Sequence, residues 1–204
     1  MLLVVGGHSR NIGKTSVAAG LIAALPEFQW TALKITQFGH GMCSATGEAC
    51  ACQLEPRCSY AISEECAPNH SDSGRFLAAG ARRAFWVRTA RGSLTCAMPA
   101  VRELIAESPN VIVESNSILD FLTPDLYLAV LDFGTPDFKA SSLRFLSQAS
   151  AVVVIDRGNP EPLWRGVAPG LWKSNRRFHA VPPEYVSGDL AEFVRQRLAI
   201  AAKR

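Results

Sequence analysis

The chain begins with residues whose types and spacing predict a phosphate-binding loop. Residues 2–5 are apolar and predict a buried strand, and the sequence GGHSRNIGKTS follows at 6–16, before an apolar helix. A short strand, a glycine-bounded turn and Gly-Lys-Thr at a helix start direct backbone N–H groups, a helix N-terminus and an ammonium toward one anion. We therefore expect Lys14 to reach the β- and γ-phosphates of a nucleotide and the Thr15 hydroxyl to bind Mg²⁺.

The loop is longer by one residue than the strict phosphate-loop pattern. His8 stands where that pattern has its first glycine, so Gly7 has to take this role. Arg10 suits a phosphate oxygen, a dimer interface or a solvent-facing position. A chance glycine turn is the alternative interpretation of the whole motif. The residues expected to contact the nucleotide all belong to this stretch and are Gly7, Arg10, Asn11, Ile12, Gly13, Lys14, Thr15 and Ser16.

Two further charged residues end predicted strands. Lys34 lies near the end of a strand over 30–35, and Glu114 ends the apolar run 111–114. Open parallel sheets bind ligands at the carboxyl ends of their strands, so Lys34 is expected to add positive charge opposite the loop. Glu114 is expected to reach Mg²⁺ directly or through water. With Lys14 they form the predicted catalytic set, although Lys34 also fits an ordinary surface lysine at a strand end.

Five of the six cysteines lie between residues 43 and 66. Uniform scatter would place about 0.7 there. Since disulfides are disfavoured in a cytoplasmic protein, zinc or an iron–sulfur cluster is one explanation, with Cys43, Cys50 and Cys52 as candidate ligands. No Cys-x2-Cys pair is present, so unligated or redox-active thiols and an oxidised pair remain alternatives.

The pattern of elements predicts an α/β fold with a doubly wound, mainly parallel sheet of the P-loop NTPase type. Continuous apolar strands alternate with helices, which is typical of strands buried on both faces. We expect a single domain over 1–204, with a Cys-rich insertion at about 37–71 and an irregular segment at 157–183. Strands are predicted at 2–5, 30–35, 84–88, 111–114, 126–131 and 151–155, and helices at 15–25, 75–83, 98–107, 139–149 and 188–201.

Composition argues against several other classes of protein. A hydrophobic content of 48% with 19% charged residues is ordinary for a globular α/β protein rather than a disordered or fibrous one. The net charge of +3 is small and its basic residues are scattered, so we expect no nucleic-acid partner. No apolar stretch approaches the ~20 residues that span a bilayer, and no basic leader precedes the first apolar run. We expect a cytoplasmic protein that does not bind membranes.

Several later motifs follow the loop in an order that resembles one known family. The sequence reads LKIT at 33–36, DSGRFLAAGA at 72–81 and VE at 113–114, and it closes with an amphipathic helix. With the Gly-Lys-Thr loop, these motifs resemble MobB, the GTP-binding adapter family of molybdopterin-guanine dinucleotide biosynthesis. The resemblance implies a nucleotide (GTP or ATP) bound with Mg²⁺, slow hydrolysis or an adapter role beside a cofactor-biosynthesis protein, and a homodimer.

Two departures from that family keep other functions open. The chain has Ser115-Asn116-Ser117 where MobB proteins usually have Gly-Phe-Lys, and its loop spacing is similar to that of dethiobiotin synthetase and cobyrinic acid amidotransferase relatives. One alternative is therefore an ATP-dependent synthetase that activates a carboxylate, although the glycine run that follows the glutamate in dethiobiotin synthetase is missing. Another is a metal- or cluster-binding protein that is regulated by nucleotide. The sequence contains no motif that selects between ATP and GTP.

Overall fold

A computed structural model of the chain describes residues 1–38, 60–173 and 175–202. Its strands belong to one mixed sheet, in which the central strands are buried on both faces. Within the described residues the strands are β1 (Leu2–Gly7), β2 (Thr31–Phe38), β3 (Tyr60–Glu64), β4 (Arg83–Ala90), β5 (Val111–Glu114), β6 (Leu126–Asp132), β7 (Ala151–Ile155) and β8 (Arg177–Ala180).

The strand order is β3-β4-β2-β5-β1-β6-β7-β8. Every neighbouring pair is parallel except β3 and β4, which are antiparallel at one edge. Glu114, the last residue of β5, is level with Val5 of β1 on one side and with Lys34 of β2 on the other. The register therefore brings the predicted charged residues of β2 and β5 to the same edge of the sheet as the loop after β1.

Helices cover both faces of the sheet. The helices are α1 (Lys14–Ala24), α2 (Asp72–Ala78), α3 (Leu94–Ala106), α4 (Ala140–Leu146) and α5 (Gly188–Ala201). Side chains of α1, α2 and α5 pack on one face, and those of α3 and α4 pack on the other. The predicted fold class, an α/β fold with a doubly wound and mainly parallel sheet, is confirmed.

Some elements differ from the sequence-based prediction. Strand β8 lies inside the segment 157–183 that was expected to be irregular, and β3 lies inside the expected insertion at 37–71. The helix expected at 75–83 instead spans Asp72–Ala78, because the Ser71 hydroxyl accepts from the Gly74 N–H at 2.9 Å and caps the helix earlier.

The predicted metal ligands of the Cys-rich segment cannot be compared with the fold. Cys43, Cys50 and Cys52 lie outside the described residues, whereas Cys66 is described and is an exposed free thiol. Across the described ranges, no helix is both long and apolar enough to cross a bilayer.

Candidate functional site

The loop after β1 turns directly into the first helix. Gly13 adopts a left-handed conformation with φ of 98°, and Lys14 is the first residue of α1. A side chain at Gly13 would be strained at this φ, and its Cβ would lie 2.9 Å from the Tyr185 ring. The Ile12 side chain is fully buried in the hydrophobic core and attaches the loop to it. The chain thus presents the N-terminus of α1, with Lys14 and Thr15 in its first turn, at the carboxyl edge of the sheet.

The first half of the loop is held by side chains from the segment after β5 and from α4. The Gly7 N–H donates to Asn116 Oδ1 at 2.8 Å, and the Asn116 amide donates to the Gly7 carbonyl at 2.7 Å. The Ser142 hydroxyl also donates to that carbonyl, at 2.8 Å. Both backbone polar groups of Gly7 are therefore engaged within the protein, and Gly7 shapes the loop.

His8 is buried and bridges the loop to the connection between β6 and α4. His8 Nε2 lies 3.0 Å from the Asp132 N–H and 3.1 Å from the Asp132 carbonyl, and Nδ1 lies 2.8 Å from the Asp137 carbonyl. In the neutral tautomer that is protonated at Nδ1, Nδ1 donates to the Asp137 carbonyl and Nε2 accepts from the Asp132 N–H. Burial lowers the pKa of His8, which favours this neutral ring. Its ring also packs on Phe138 and Trp164, with centroids 5.0 and 4.7 Å away.

Lys14 begins α1 at the end of the loop and is half-buried. Its ammonium donates to the Ser9 carbonyl, and Ser9 is itself held by its hydroxyl, which donates to Asp137 Oδ2 at 2.6 Å. Burial lowers the pKa of Lys14 to about 8, against an opposing attraction from Glu114. A buried ammonium with one carbonyl partner is suited to gain an anionic ligand.

A second group of charges lies beside the first turn of α1. The Lys34 ammonium contacts Glu114 Oε1 at 2.5 Å and Asp72 Oδ2 at 2.8 Å, and it lies 3.3 Å from the Thr15 hydroxyl. That hydroxyl donates to Glu114 Oε2 at 2.7 Å. The Glu114 side chain is only 2% exposed, whereas that of Asp72 is 46% exposed. The structure therefore brings Lys34, Glu114 and Thr15 together, and it adds Asp72.

The shifted pKa values in this group follow from these contacts. Burial alone would lower the pKa of Lys34, but Glu114 and Asp72 attract its charge and hold the pKa above its usual value. Burial alone would raise the pKa of Asp72, but Lys34 holds it below its usual value. Lys34 and Asp72 are thus charged together near neutral pH.

The remaining predicted contacts lie at the rim of the loop. Arg10 and Asn11 are exposed, and Asn11 adopts a positive φ of 55°. The Ser16 hydroxyl accepts from the Arg75 guanidinium of α2 at 2.9 Å.

Lys139, at the start of α4, donates its backbone N–H to the His8 carbonyl at 2.9 Å. Burial, followed by nearby Arg10, lowers the pKa of Lys139. Positive charge is therefore concentrated around the loop, as binding of a polyanion requires.

The donor set suits Mg²⁺ bound together with a nucleotide. A hydroxyl and two carboxylates are hard oxygen ligands, and Mg²⁺ usually takes one or two carboxylates together with substrate phosphates. In the described part of the chain, no group of three or more His, Cys, Asp or Glu side chains could hold a metal ion by itself. The protein thus offers part of a coordination shell, which phosphate oxygens would complete.

Sequence reasoning missed or underestimated three of these residues. Asp72, the first residue of the motif at 72–81, suits either a helix cap or a metal contact by its residue type; in the structure Ser71 provides the cap and Asp72 pairs with Lys34. Its place at the start of a predicted small-residue helix could have been a signal. His8 and Asn116 gave no sequence signal, because their partners are far away along the chain.

Comparison with known proteins gives only distant likenesses. No protein-family model matches the chain, and no curated protein matches its sequence. Among solved structures, the chain is similar to HypB from Helicobacter pylori in complex with nickel, with 13% identity, a TM-score of 0.49, and coverage of 97% of this chain and 85% of HypB. It is also similar to LpxK from Aquifex aeolicus in complex with ATP, with 16% identity, a TM-score of 0.46 and coverage of 87% of this chain. The match covers 53% of LpxK, so the chain spans about half of that protein.

Proposed function

We propose that the chain binds a nucleoside triphosphate with Mg²⁺ and hydrolyses it slowly. The observation that supports this most strongly is one arrangement at the carboxyl edge of the sheet. Lys14 begins α1 directly after a left-handed Gly13, and the next residue, Thr15, hydrogen-bonds Glu114 at the end of β5. The N-terminus of α1 and the Lys14 ammonium can then bind one anionic ligand. The Thr15 hydroxyl and the buried Glu114 carboxylate can bind the cation that accompanies it.

Each residue has a separate role in this proposal. Lys14 would bind phosphate oxygens and neutralise charge on them, and Lys34 would add a second positive charge from β2. Thr15, Glu114 and Asp72 would hold Mg²⁺, which when bound neutralises charge on the phosphates and orients them. The N–H groups at the start of α1 would orient the transferred phosphoryl group.

The biological setting of the proposed site rests on the motif resemblance to the MobB family. That resemblance supports an adapter role in molybdenum-cofactor-type biosynthesis, beside a protein partner and as a homodimer. The loop spacing instead favours a carboxylate-activating synthetase. The two proposals differ in what stimulates nucleotide turnover: a synthetase consumes ATP only with its carboxylate substrate, whereas an adapter hydrolyses slowly without one. Steady-state turnover of ATP and GTP, with and without small carboxylic acids, separates them.

Calorimetric titration tests nucleotide binding itself. With Mg²⁺ present, the wild-type chain should bind a non-hydrolysable ATP or GTP analogue, and Lys14→Ala should abolish binding while leaving the circular dichroism spectrum unchanged. Lys173→Ala is the matched control, because the Lys173 ammonium packs over the Trp172 ring, 5.4 Å from its centroid, outside the site. Unchanged affinity in Lys14→Ala would refute the proposal.

A further inference from the structure

One feature of the site is not explained by phosphate binding alone: a cation of the chain itself occupies the centre of the proposed metal ligands. The Lys34 ammonium lies 2.5 Å from Glu114 Oε1, 2.8 Å from Asp72 Oδ2 and 3.3 Å from Thr15 Oγ1. These three oxygens come from β5, α2 and α1. The Lys34 side chain is 12% exposed and that of Glu114 is 2% exposed, so this pair is largely shielded from water, whereas Asp72 is 46% exposed.

The same three oxygens are the ones that the proposed function assigns to Mg²⁺. Mg²⁺ binds oxygen ligands at about 2.0–2.1 Å, closer than the ammonium lies, and the two cations repel each other. Both cannot occupy this position together. We propose that Lys34 is an exchangeable internal cation, whose ammonium fills the metal position until a divalent cation arrives with the nucleotide and displaces it. This inference rests on the proposed function.

The charge and burial of the group explain why such a cation is needed. Two carboxylates share the position, and one of them, on Glu114, is 2% exposed. A buried carboxylate without a partner is strongly unfavourable, so the tethered ammonium stabilises the protein when no metal is bound. A divalent ion alone must displace this ammonium and gains only the protein's partial coordination shell. With a nucleotide, phosphate oxygens complete the shell and offer the released ammonium a new anionic partner.

Removal of the lysine should therefore improve metal binding in the absence of nucleotide. We would titrate Mn²⁺ alone into wild type, Lys34→Met and Lys34→Gln and follow free Mn²⁺ by electron paramagnetic resonance. Both variants should bind Mn²⁺ about tenfold more tightly than wild type, because a binding-competent state populated to about one part in ten weakens the apparent affinity by that factor. The same variants should bind Mg²⁺-nucleotide more weakly than wild type, since they lose a positive charge near the phosphates.

Lys173→Met is the matched control for this experiment. It also removes one lysine charge, but the Lys173 ammonium packs over the Trp172 ring, 5.4 Å from its centroid and outside the site. Its affinity for Mn²⁺ alone should stay at the wild-type level. In a second control, Asp72→Asn added to Lys34→Met should reverse the gain, because it removes one of the two negative charges that attract Mn²⁺ to this position. Circular dichroism of each variant confirms that it is folded.

The result is distinguishable from failure of the proposed function. If Lys34→Met and Lys34→Gln bind Mn²⁺ no better than wild type, or if Lys173→Met gains as much, the exchangeable-cation proposal is wrong. The function is tested separately, by Mg²⁺-dependent nucleotide binding to the wild-type chain. If wild type binds nucleotide and the Lys34 variants show no gain in Mn²⁺ affinity, the proposed function stands and only the proposed role of Lys34 is rejected.

Discussion

Two lysines at the same end of the sheet have opposite electrostatic environments. Lys34 is paired with two carboxylates, which hold its pKa above the usual value in spite of burial. The Lys14 ammonium donates to the Ser9 carbonyl, and burial lowers its pKa to about 8. Lys34 should therefore stay charged throughout the physiological range, whereas Lys14 should titrate just above it. An anionic ligand favours the charged form of Lys14 and should raise its pKa on binding.

Nucleotide affinity should accordingly fall as the pH rises through about 8. Below that pH Lys14 is already protonated, and above it the lysine must take up a proton on binding, so affinity should approach a decrease of about tenfold per pH unit. Calorimetry between pH 7.5 and 9.5, in buffers of different ionisation enthalpy, measures both affinity and proton uptake. Lys173→Ala should show the same slope as wild type. Constant affinity with no proton uptake up to pH 9.5 would contradict the pKa of about 8.

At the scale of elements, the connection between β6 and α4 acts as a support for the phosphate loop. His8 accepts from the Asp132 N–H and donates to the Asp137 carbonyl, and the Lys139 N–H donates to the His8 carbonyl. Since all three contacts join segments more than 120 residues apart, the loop conformation depends on the end of β6. A substitution in that connection should therefore alter the conformation of the loop without removing any residue that is proposed to bind phosphate.

His8→Phe tests this support. Phenylalanine keeps an aromatic ring against Phe138 and Trp164 but leaves the buried Asp132 N–H without its acceptor, which should lower the free energy of unfolding by about 1–3 kcal/mol. Nucleotide affinity should fall as well, because the loop loses its support. Urea denaturation and calorimetry measure the two effects. Arg10→Ala is the control for stability, since Arg10 is exposed in the same loop; an equal loss in both variants would argue against the support.

The sequence predicted the elements that can be identified from the hydrophobic pattern of their own residues. The strand at 151–155 and the helix at 188–201 have the predicted bounds, because a continuous apolar run and an amphipathic stripe each mark one element. Strand β8 was missed because it has four residues, alternates in burial and lies at a sheet edge among Gly, Pro and Trp. Lys34 and Glu114 were found from predicted strand ends; Glu114 does end β5, but the end predicted near Lys34 was wrong, because β2 continues to Phe38. The Asn116–Gly7 and His8–Asp132 contacts depend on strand order, which no local pattern specifies.

For the whole molecule, burial of the charged Lys14 side chain lowers the free energy of unfolding. The pKa of Lys14 is about 8 in the folded chain and near 10.5 when the chain unfolds. Below pH 8 the lysine is charged in both states, and the cost of burying that charge is fully present. The unfolded chain holds more protons than the folded one between about pH 8 and 10.5, so the cost is relieved as pH rises through that range. Binding of an anion should offset it at any lower pH.

Lys14→Met should consequently stabilise the chain while removing its response to nucleotide. At pH 7 we expect the free energy of unfolding to rise by about 1–2 kcal/mol, after allowance for solvent screening of a partly exposed lysine. The gain should shrink between pH 8 and 10. Mg²⁺-nucleotide at a hundred times its Kd should stabilise wild type by about 2.7 kcal/mol and leave Lys14→Met unaffected. Urea denaturation at pH 7 and 9.5 measures these differences, with Lys173→Met as control. A less stable Lys14→Met at pH 7 would mean that the contact with the Ser9 carbonyl outweighs the burial of charge.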